Sequence, residues 1–583
     1  MKRNAGTAIA LALAAVATPG LVTSSAAAGA TGPVVVDGAA QPVYASAPRD
    51  WIVKEAWVTV PVDSDRDGRP DRVHVNYARA NDAPDRVPVV MAASPYFTGV
   101  NEVPNHNVDH DLYYPDTRWA QRTDALARQG NSANGLHDPW TAAYWVPRGF
   151  GWVEVESLGT GTSTGCPTTG GTNETLGPKA VIDWLAGRGH AVDARGRAVR
   201  PDGFRASVGM VGTSYDGTLP NAVATTGVPE LKAIIPISAI SDWYDYYRSG
   251  GAVVAPQSYQ GEDADVLAKF VLTRANRAIC APIIKDLGRR QDRRTGDRNA
   301  FWQERNYRAR AGRVTAAVYA AHGLSDWNVK PSQAGRWYRA LRAGGVPVKI
   351  YWHPGGHGGP PPQREQNRWF THFLMGLANG VEREPHALVE TVDGSLERYA
   401  DWPVPGSRPR TTSLSQWLIP GQPQTVTRLS FRDDTAYTLL GGQLPRRGRG
   451  LVFTSDPLTE PTRLSGFARA DLRIKLGQPN ANVTVGIVEL PGGAFSPLVT
   501  MGWTDPQNRH GEWRTEAVTP GEWMNVDVDL EASEHVFQAG SRIGIVVIQS
   551  DHEFTIRPPM AKTMTLDTRS STITLPLTRA LPR

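Results

Sequence analysis

The chain has 583 residues, of which 40% are hydrophobic and 20% charged, the composition of an ordinary soluble globular protein and a length too great for a single domain. Lys plus Arg number 62 against 57 for Asp plus Glu, so the net charge of +5 is small for this size, and with the charges scattered nothing calls for a nucleic-acid partner. Two cysteines, Cys166 and Cys280, are too few for a disulfide framework; export would permit one bridge between them, and two separate buried thiols are an equal alternative.

The N-terminus runs from Lys2 and Arg3 through the apolar Ala8 to Val16 into small residues at Ser24 to Ala30. Basic, apolar and small regions in that order make a secretory signal peptide over residues 1–30, so the product is expected to be secreted and extracellular. No later run is long enough for a membrane span.

Trp51 to Val60 and Arg72 to Ala78 alternate like paired strands around Asp63-Ser64-Asp65-Arg66-Asp67-Gly68. That turn resembles the start of a calcium loop, but the twelfth position holds His74 where such a loop needs a bidentate Glu, so a plain turn is favoured. Buried strands are expected at Val87 to Ala92, ending in Ser94-Pro95-Tyr96, and at Gly151 to Ser157, which runs into the Gly/Thr-rich loop Gly159 to Gly171. Pro178 to Ala186 has helical periodicity.

The apolar run Ala206 to Val211 then enters Gly212-Thr213-Ser214-Tyr215-Asp216-Gly217. A strand turning sharply into a helix at this point would lift the Ser214 hydroxyl clear of the sheet edge, which makes Ser214 the candidate nucleophile. Compared with the commoner G-x-S-x-G spelling, the second Gly falls one place later and Asp216 stands where a small residue usually sits. Pro220 predicts a kink or a later helix start.

Further strands are expected at Leu231 to Ile237, Val314 to Ala320 and Val346 to Tyr351. Strands alternating with helices argue for a parallel sheet covered on both faces. The intervening residues 241–312, rich in Tyr, Arg and Asp, read as a helical insertion capping the sheet. From about Pro385 short alternating segments between Gly, Pro and Asn turns predict an all-β sandwich, jelly-roll-like, without a catalytic constellation. The expected order is residues 31–240 and 313–384 for the two parts of the α/β domain, 241–312 for the cap and 385–583 for the sandwich.

An acyl-transfer serine needs a base and a carboxylate to orient it, in the order Ser, Asp, His on a strand-turn-helix scaffold of the α/β-hydrolase kind. Asp326 directly follows the strand ending at Ala320, and His357 lies in the Gly-rich turn after Tyr351. Their competitors are His322, which ends its strand before the loop, and His353, which stands less deep in its turn. The oxyanion donors are the Tyr215 backbone N–H and, from the loop after an early strand, the Tyr96 hydroxyl. This chemistry calls for no metal and no organic cofactor.

Gly212-Thr213-Ser214-Tyr215, Ser241-Asp242-Trp243-Tyr244-Asp245-Tyr246-Tyr247-Arg248, Gly261-Glu262-Asp263-Ala264-Asp265 and His322-Gly323-Leu324-Ser325-Asp326-Trp327-Asn328-Val329 closely resemble the X-prolyl dipeptidyl aminopeptidases, with the cocaine esterase and α-amino acid ester hydrolase group as more distant relatives. The resemblance runs from about Trp51 to the C-terminus. It implies an α/β-hydrolase fold with a helical cap and a C-terminal jelly-roll sandwich. It also implies that Tyr96 supplies an oxyanion donor, that Trp243 and Tyr246 line a proline pocket, that Glu262 holds the substrate's free α-ammonium and that Asn328 orients the scissile region. The expected substrates are peptides with a free N-terminus and proline at the second position. A serine esterase or acylase sharing the triad and Tyr96 is the alternative; a binding protein with a degenerate hydrolase domain is opposed by the intact Ser214, Asp326 and His357. The lactic-acid-bacterial members carry a larger N-terminal helical domain for which there is no room before Trp51, so oligomeric state does not carry over.

Overall fold

The computed structural model describes residues 32–112, 119–120, 135–423, 425–493, 495–558 and 561–581; the expected signal peptide lies outside them. An eleven-stranded sheet is built from strands between Trp51 and Tyr399. Its strands are β1 (Trp51–Thr59), β2 (Arg72–Ala80), β3 (Val87–Ser94), β4 (Gly151–Glu156), β5 (Ala191–Val192), β6 (Phe204–Thr213), β7 (Leu231–Ile237), β8 (Ala317–Gly323), β9 (Val348–His353), β10 (Ala387–Glu390) and β11 (Leu396–Tyr399), in the spatial order β11-β10-β9-β8-β7-β6-β3-β4-β2-β1-β5. The run from β10 to β4 is parallel, while β11 at one edge and β2, β1 and β5 at the other are antiparallel.

The central strands are short apolar runs, buried on both faces as a parallel sheet requires. Apolar residues on the two sides of the sheet belong to separate core clusters, so both faces are covered. The helices are α1 (Pro139–Trp145), α2 (Thr172–Leu185), α3 (Tyr215–Ala224), α4 (Tyr244–Tyr247), α5 (Ala264–Val271), α6 (Ala281–Arg290), α7 (Ala300–Glu304), α8 (Ser332–Ala343) and α9 (Gln363–Met375). Four of them, α4 to α7, fall within residues 241–312, together with a pair of two-residue strands, Arg248–Ser249 with Ala252–Val253, that the composition did not signal.

One helix start departs from expectation, and another excludes one of two alternatives. α2 begins at Thr172, six residues before Pro178, because Glu174 in its first turn collects the N–H groups of Thr168, Thr169 and Gly170 at 2.6, 2.8 and 2.9 Å and so holds the preceding loop against the helix N-terminus. α3 starts immediately after Ser214 and carries Pro220 inside it, so the later start does not occur.

Cys166 and Cys280 are bridged, with Cα atoms 5.5 Å apart, which decides between the two alternatives and ties the loop after β4 to the start of α6. The Asp63 to Asp71 turn gives its carboxylates protein partners: Asp63 accepts from Asp67 and Gly68 N–H, Asp65 pairs with Arg274 at 2.6 Å, and Asp71 accepts from Ser64. These bonds fit the plain-turn reading.

Residues Ala387 to Tyr399, expected to open the C-terminal segment, instead pair onto the large sheet as β10 and β11. Beyond them a seven-stranded and a four-stranded antiparallel sheet share one core, with Leu472, Ile474 and Leu566 of the first facing Val485, Ile487 and Ile545 of the second. Arg469–Leu476 alternates strictly between buried residues and partly or fully exposed ones, as expected of a half-buried strand. This all-β unit packs on the helical segment through Thr504 and Asp505, which bond to the Gly250 carbonyl at 3.0 and 2.9 Å.

Candidate active site

Ser214 sits at the carboxyl end of β6 with φ 64° and ψ −126°, a conformation that costs a side-chain-bearing residue roughly 1–3 kcal/mol. The turn is sharp enough that its glycines are obligatory. A Cβ on Gly212 would lie 2.4 Å from the Asp216 carbonyl oxygen, and one on Gly217 would lie 2.6 Å from Gly212 O and 2.8 Å from Ile237 O. The close approach to β7 therefore falls at Gly217, which accounts for the displaced second glycine. Ser214 N–H donates to Ile237 O at 2.8 Å and fixes the elbow to that strand.

His357 follows β9 and Asp326 follows β8. His357 Nδ1 and Asp326 Oδ2 are 2.8 Å apart, with Asp326 wholly buried and the His357 side chain 33% exposed. Asp326 Oδ1 accepts the N–H groups of Asn328 and Val329 at 3.1 and 2.9 Å, so the carboxylate is held by its own loop. With Nδ1 directed at a carboxylate, His357 presents Nε2 to its other side. His322 bonds instead to Val329 O at 2.7 Å from inside β8, and His353 is buried at the end of β9, bonded to the turn at Gly355 and Gly358. Both competitors are occupied by structure.

Eight of the nine predicted site residues line a single cavity of about 540 Å³: Ser214, His357, Tyr96, Tyr215, Trp243, Tyr246, Glu262 and Asn328. The ninth, Asp326, stands behind His357. The volume is that of a small-molecule site. Tyr96 and Tyr215 meet edge to face at 6.0 Å. The Tyr215 hydroxyl points away, donating to Glu174 at 2.5 Å, while its backbone N–H is in the first turn of α3, where no intrahelical acceptor exists. Burial first, and then the negative charge of Asp216 and Glu262, pushes the Tyr96 phenol well above its ordinary pKa, so it stays protonated and able to donate.

The residues around α4 divide by chemistry. Asp242 and Asp245 form a buried ion network with Arg298 and Arg308, with contacts from 2.6 to 3.2 Å, and so hold the segment in place. Two of the aromatic residues, Trp243 and Tyr246, face the cavity: Trp243 packs edge to face on Tyr215 at 5.0 Å and on Tyr246 at 5.7 Å. Tyr246 OH donates to Asn328 Oδ1 at 3.0 Å, and buried Lys330 holds the Tyr246 carbonyl at 2.9 Å. One loop therefore carries Asp326 and also braces the aromatic wall.

Glu262, 8% exposed, accepts from Tyr247 OH at 2.8 Å, while its neighbour Asp263 is turned the other way, to Arg248 and Arg293 at 2.9 Å. Sequence reasoning missed Tyr247 as a partner of Glu262, although it lies in the quoted aromatic segment. It also missed Leu267 and Phe270, which close the cavity from α5 and were findable from their i, i+3 spacing. Gly99, Val100, Ile240 and Tyr259 complete the lining, and no local pattern marks them.

With this geometry in hand, the chain can be set beside known proteins. Residues 67–359 match the family model for X-Pro dipeptidyl-peptidase (S15 family), and residues 379–580 match that for the X-Pro dipeptidyl-peptidase C-terminal non-catalytic domain. A Bacillus anthracis protein named "Putative Xaa-Pro dipeptidyl-peptidase" is 40% identical over 93% of this chain and 90% of its own length. The Xaa-Pro dipeptidyl-peptidase of Lacticaseibacillus rhamnosus is 30% identical over 93% of this chain and 78% of its own. Among solved structures, an α-amino acid ester hydrolase aligns with a TM-score of 0.62 at 18% identity, covering 92% of this chain and 98% of that one. A CocE/NonD family hydrolase from Staphylococcus aureus aligns with a TM-score of 0.65 at 16% identity, covering 90% and 96%. At these identities the two structures speak for the fold alone.

Proposed function

Because this chain belongs to the S15 family of X-Pro dipeptidyl-peptidases, we propose that it is a secreted serine exopeptidase that removes Xaa-Pro dipeptides from free peptide N-termini through an acyl-enzyme. The observation that carries the reading is the single cavity in which the Ser214 elbow, the Asp326-backed His357 and the Glu262 carboxylate converge.

His357 Nε2 takes the Ser214 proton as Oγ attacks the carbonyl carbon of the second residue. The oxyanion is held by the Tyr96 hydroxyl and the Tyr215 N–H. Collapse of the tetrahedral adduct breaks the C–N bond, with the His357 imidazolium protonating the leaving amine. Water, deprotonated by the same imidazole, then releases the dipeptide. Asp326 stabilises the imidazolium and fixes its tautomer.

Specificity follows from the helical cap. A proline ring is compact, apolar and lacks an N–H, so the Trp243 and Tyr246 faces suit it. Glu262 pairs with the α-ammonium and sets its distance from Ser214, which confines cleavage to the second bond. Asn328, bonded to Tyr246, orients the scissile region. Export is supported by the leader pattern of residues 1–30 and by the Cys166–Cys280 bridge, since disulfides persist in oxidising compartments. Among the described residues, the jelly-roll-like C-terminal unit contributes none to the cavity lining.

The deciding experiment compares Gly-Pro-p-nitroanilide, its N-acetylated form and p-nitrophenyl butyrate as substrates of the purified mature protein. Strong cleavage of the first with loss on acetylation is expected. Activity confined to the butyrate would assign an esterase and overturn the peptidase reading.

A further inference from the structure

Beside the turn that presents Tyr96, three side chains with metal-binding atoms converge. His74 is on β2 and Glu156 ends β4; the pairing of Val75 with Val155 sets them next to each other across the two strands. His137 enters from the residues before α1. Ligand atoms of all three lie within 4.8 Å of one another. His74 Nδ1 is 2.9 Å from Glu156 Oε1, and His137 Nε2 is 3.3 Å from the same oxygen. The side chains of His74, His137 and Glu156 are only 7%, 2% and 4% exposed.

His137 is the anomaly. Both of its ring nitrogens are buried; Nδ1 has no hydrogen-bond partner, and Nε2 has only the long 3.3 Å ion-pair approach to Glu156 Oε1. Leaving a buried polar group unpaired costs roughly 1–3 kcal/mol. The ring is nevertheless held in one orientation, stacked on Phe97 at 4.8 Å and 4°.

We propose that His74, His137 and Glu156 form a site for one zinc-like divalent transition-metal ion, which anchors the Tyr96–Phe97 turn to the sheet. Two imidazoles and a carboxylate are a donor set suited to such an ion. Bonds of about 2.0–2.1 Å in a tetrahedron put neighbouring ligand atoms about 3.3 Å apart, which is the separation of His137 Nε2 and Glu156 Oε1; the His74 Nδ1–Glu156 Oε1 pair, at 2.9 Å, would open by a few tenths of an ångström on binding. The surroundings match those of a ligating set. Glu55 Oε2 lies 3.2 Å from His74 Nε2, the carboxylate partner that would hold the ring while Nδ1 exchanged its 2.9 Å bond to Glu156 Oε1 for an ion. Thr162 N–H donates to Glu156 Oε2 at 3.0 Å, so Oε1, which here bonds to His74 Nδ1 at 2.9 Å, is the oxygen that would turn to an ion. Three protein ligands leave one position for water. The ion is outside the catalytic cavity and enters no step of the proposed reaction; it would join β2, β4 and the approach to α1 to the residue next to Tyr96.

The test uses the full mature chain, stripped with a chelator and titrated with Co²⁺ and then Zn²⁺. One Co²⁺ per chain is expected at micromolar concentration, with the intense visible absorption of a four-coordinate site, displaced by Zn²⁺ and accompanied by a rise of several degrees in unfolding temperature. His137→Ala should abolish that absorption. Should this variant fold poorly, Glu55→Gln, which keeps every ligand, should weaken Co²⁺ binding about tenfold or more. No stoichiometric uptake by the wild type would overturn the proposal. So would an absorption that both variants leave unchanged, or the weak spectrum of an oxygen-only six-coordinate site such as Asp63, Asp65 and Asp71 could offer.

Discussion

Tyr247 OH donates a 2.8 Å hydrogen bond to Glu262 Oε1, joining the aromatic segment at α4 to the loop before α5 at the floor of the cavity. The phenol is a positioning group for the carboxylate. Tyr247→Phe keeps the ring and removes only the donor, so kcat/KM for Gly-Pro-p-nitroanilide should fall about tenfold, equivalent to about 1.4 kcal/mol, mostly through KM. Hydrolysis of p-nitrophenyl butyrate should be unchanged; an equal loss on both substrates would refute the positioning role.

Glu262→Gln should cost about 10²-fold in kcat/KM on the Xaa-Pro substrate, as expected when one partner of a buried charge pair is removed, and less than about threefold on the butyrate. Steady-state kinetics on the two substrates checks this directly. Parallel losses would mean that Glu262 holds the fold and not the ammonium.

Asp326→Asn should lower kcat by about 10⁴-fold, because the amide cannot enforce the His357 tautomer or stabilise its positive charge. Ser214→Ala should abolish turnover and labelling by a fluorophosphonate while leaving the unfolding temperature within a few degrees of wild type. Residual labelling of the Ser214→Ala protein would place the nucleophile elsewhere.

The Cys166–Cys280 bridge spans 114 residues. Loop-closure entropy for a span of about 100 residues is roughly 4–5 kcal/mol, so a Cys166→Ser/Cys280→Ser double variant should unfold at clearly lower denaturant concentration. Equilibrium unfolding with and without reductant measures it. A midpoint independent of reductant in the wild type would contradict the expectation.

Asp216, in the first turn of α3, has its carboxyl pushed up to about 7, chiefly by burial, with a hydrogen bond from Ser94 opposing and the charge of Asp138 adding to the rise. The folded state thus binds a proton that the unfolded chain has already lost above pH 4, so this group's contribution to stability declines as pH rises from about 4 to 7 and is constant above. Asp216→Asn removes the decline. Discounted for the solvent contact that Asp216 retains, the variant should gain about 1–2 kcal/mol at pH 8 relative to pH 5, read from denaturant curves at the two pH values. A gain that does not change with pH would exclude this titration.

Much of the hydrolase core is legible in the sequence because its information is local. An apolar run of five to ten residues between turn signals is a buried strand, and loops at the carboxyl ends of parallel strands share one edge. Ser214, Asp326 and His357, each following such a run, could therefore be placed near one another before any coordinates. The elbow was legible too, since Gly212 and Gly217 leave room that a Cβ would fill. The roles proposed for Trp243, Tyr246, Glu262 and Asn328 come only from the family resemblance, because aromatic and acidic residues in a helical insertion read equally well as its own core and surface.

Tertiary structure alone decided what depends on contacts between distant segments. Pairing of β2 with β4 brings His74 to Glu156, and the approach to α1 adds His137 to the same point. The choice between a bridge and two thiols rested on the 5.5 Å separation of Cys166 and Cys280. The early start of α2 rested on Glu174 meeting three N–H groups of the preceding loop and the Tyr215 hydroxyl, and the attachment of β10 and β11 to the large sheet rested on its open edge at β9. Hydrophobic periodicity specifies which residues turn inward. Which buried groups then meet is set by strand order and packing, and these are properties of the whole chain.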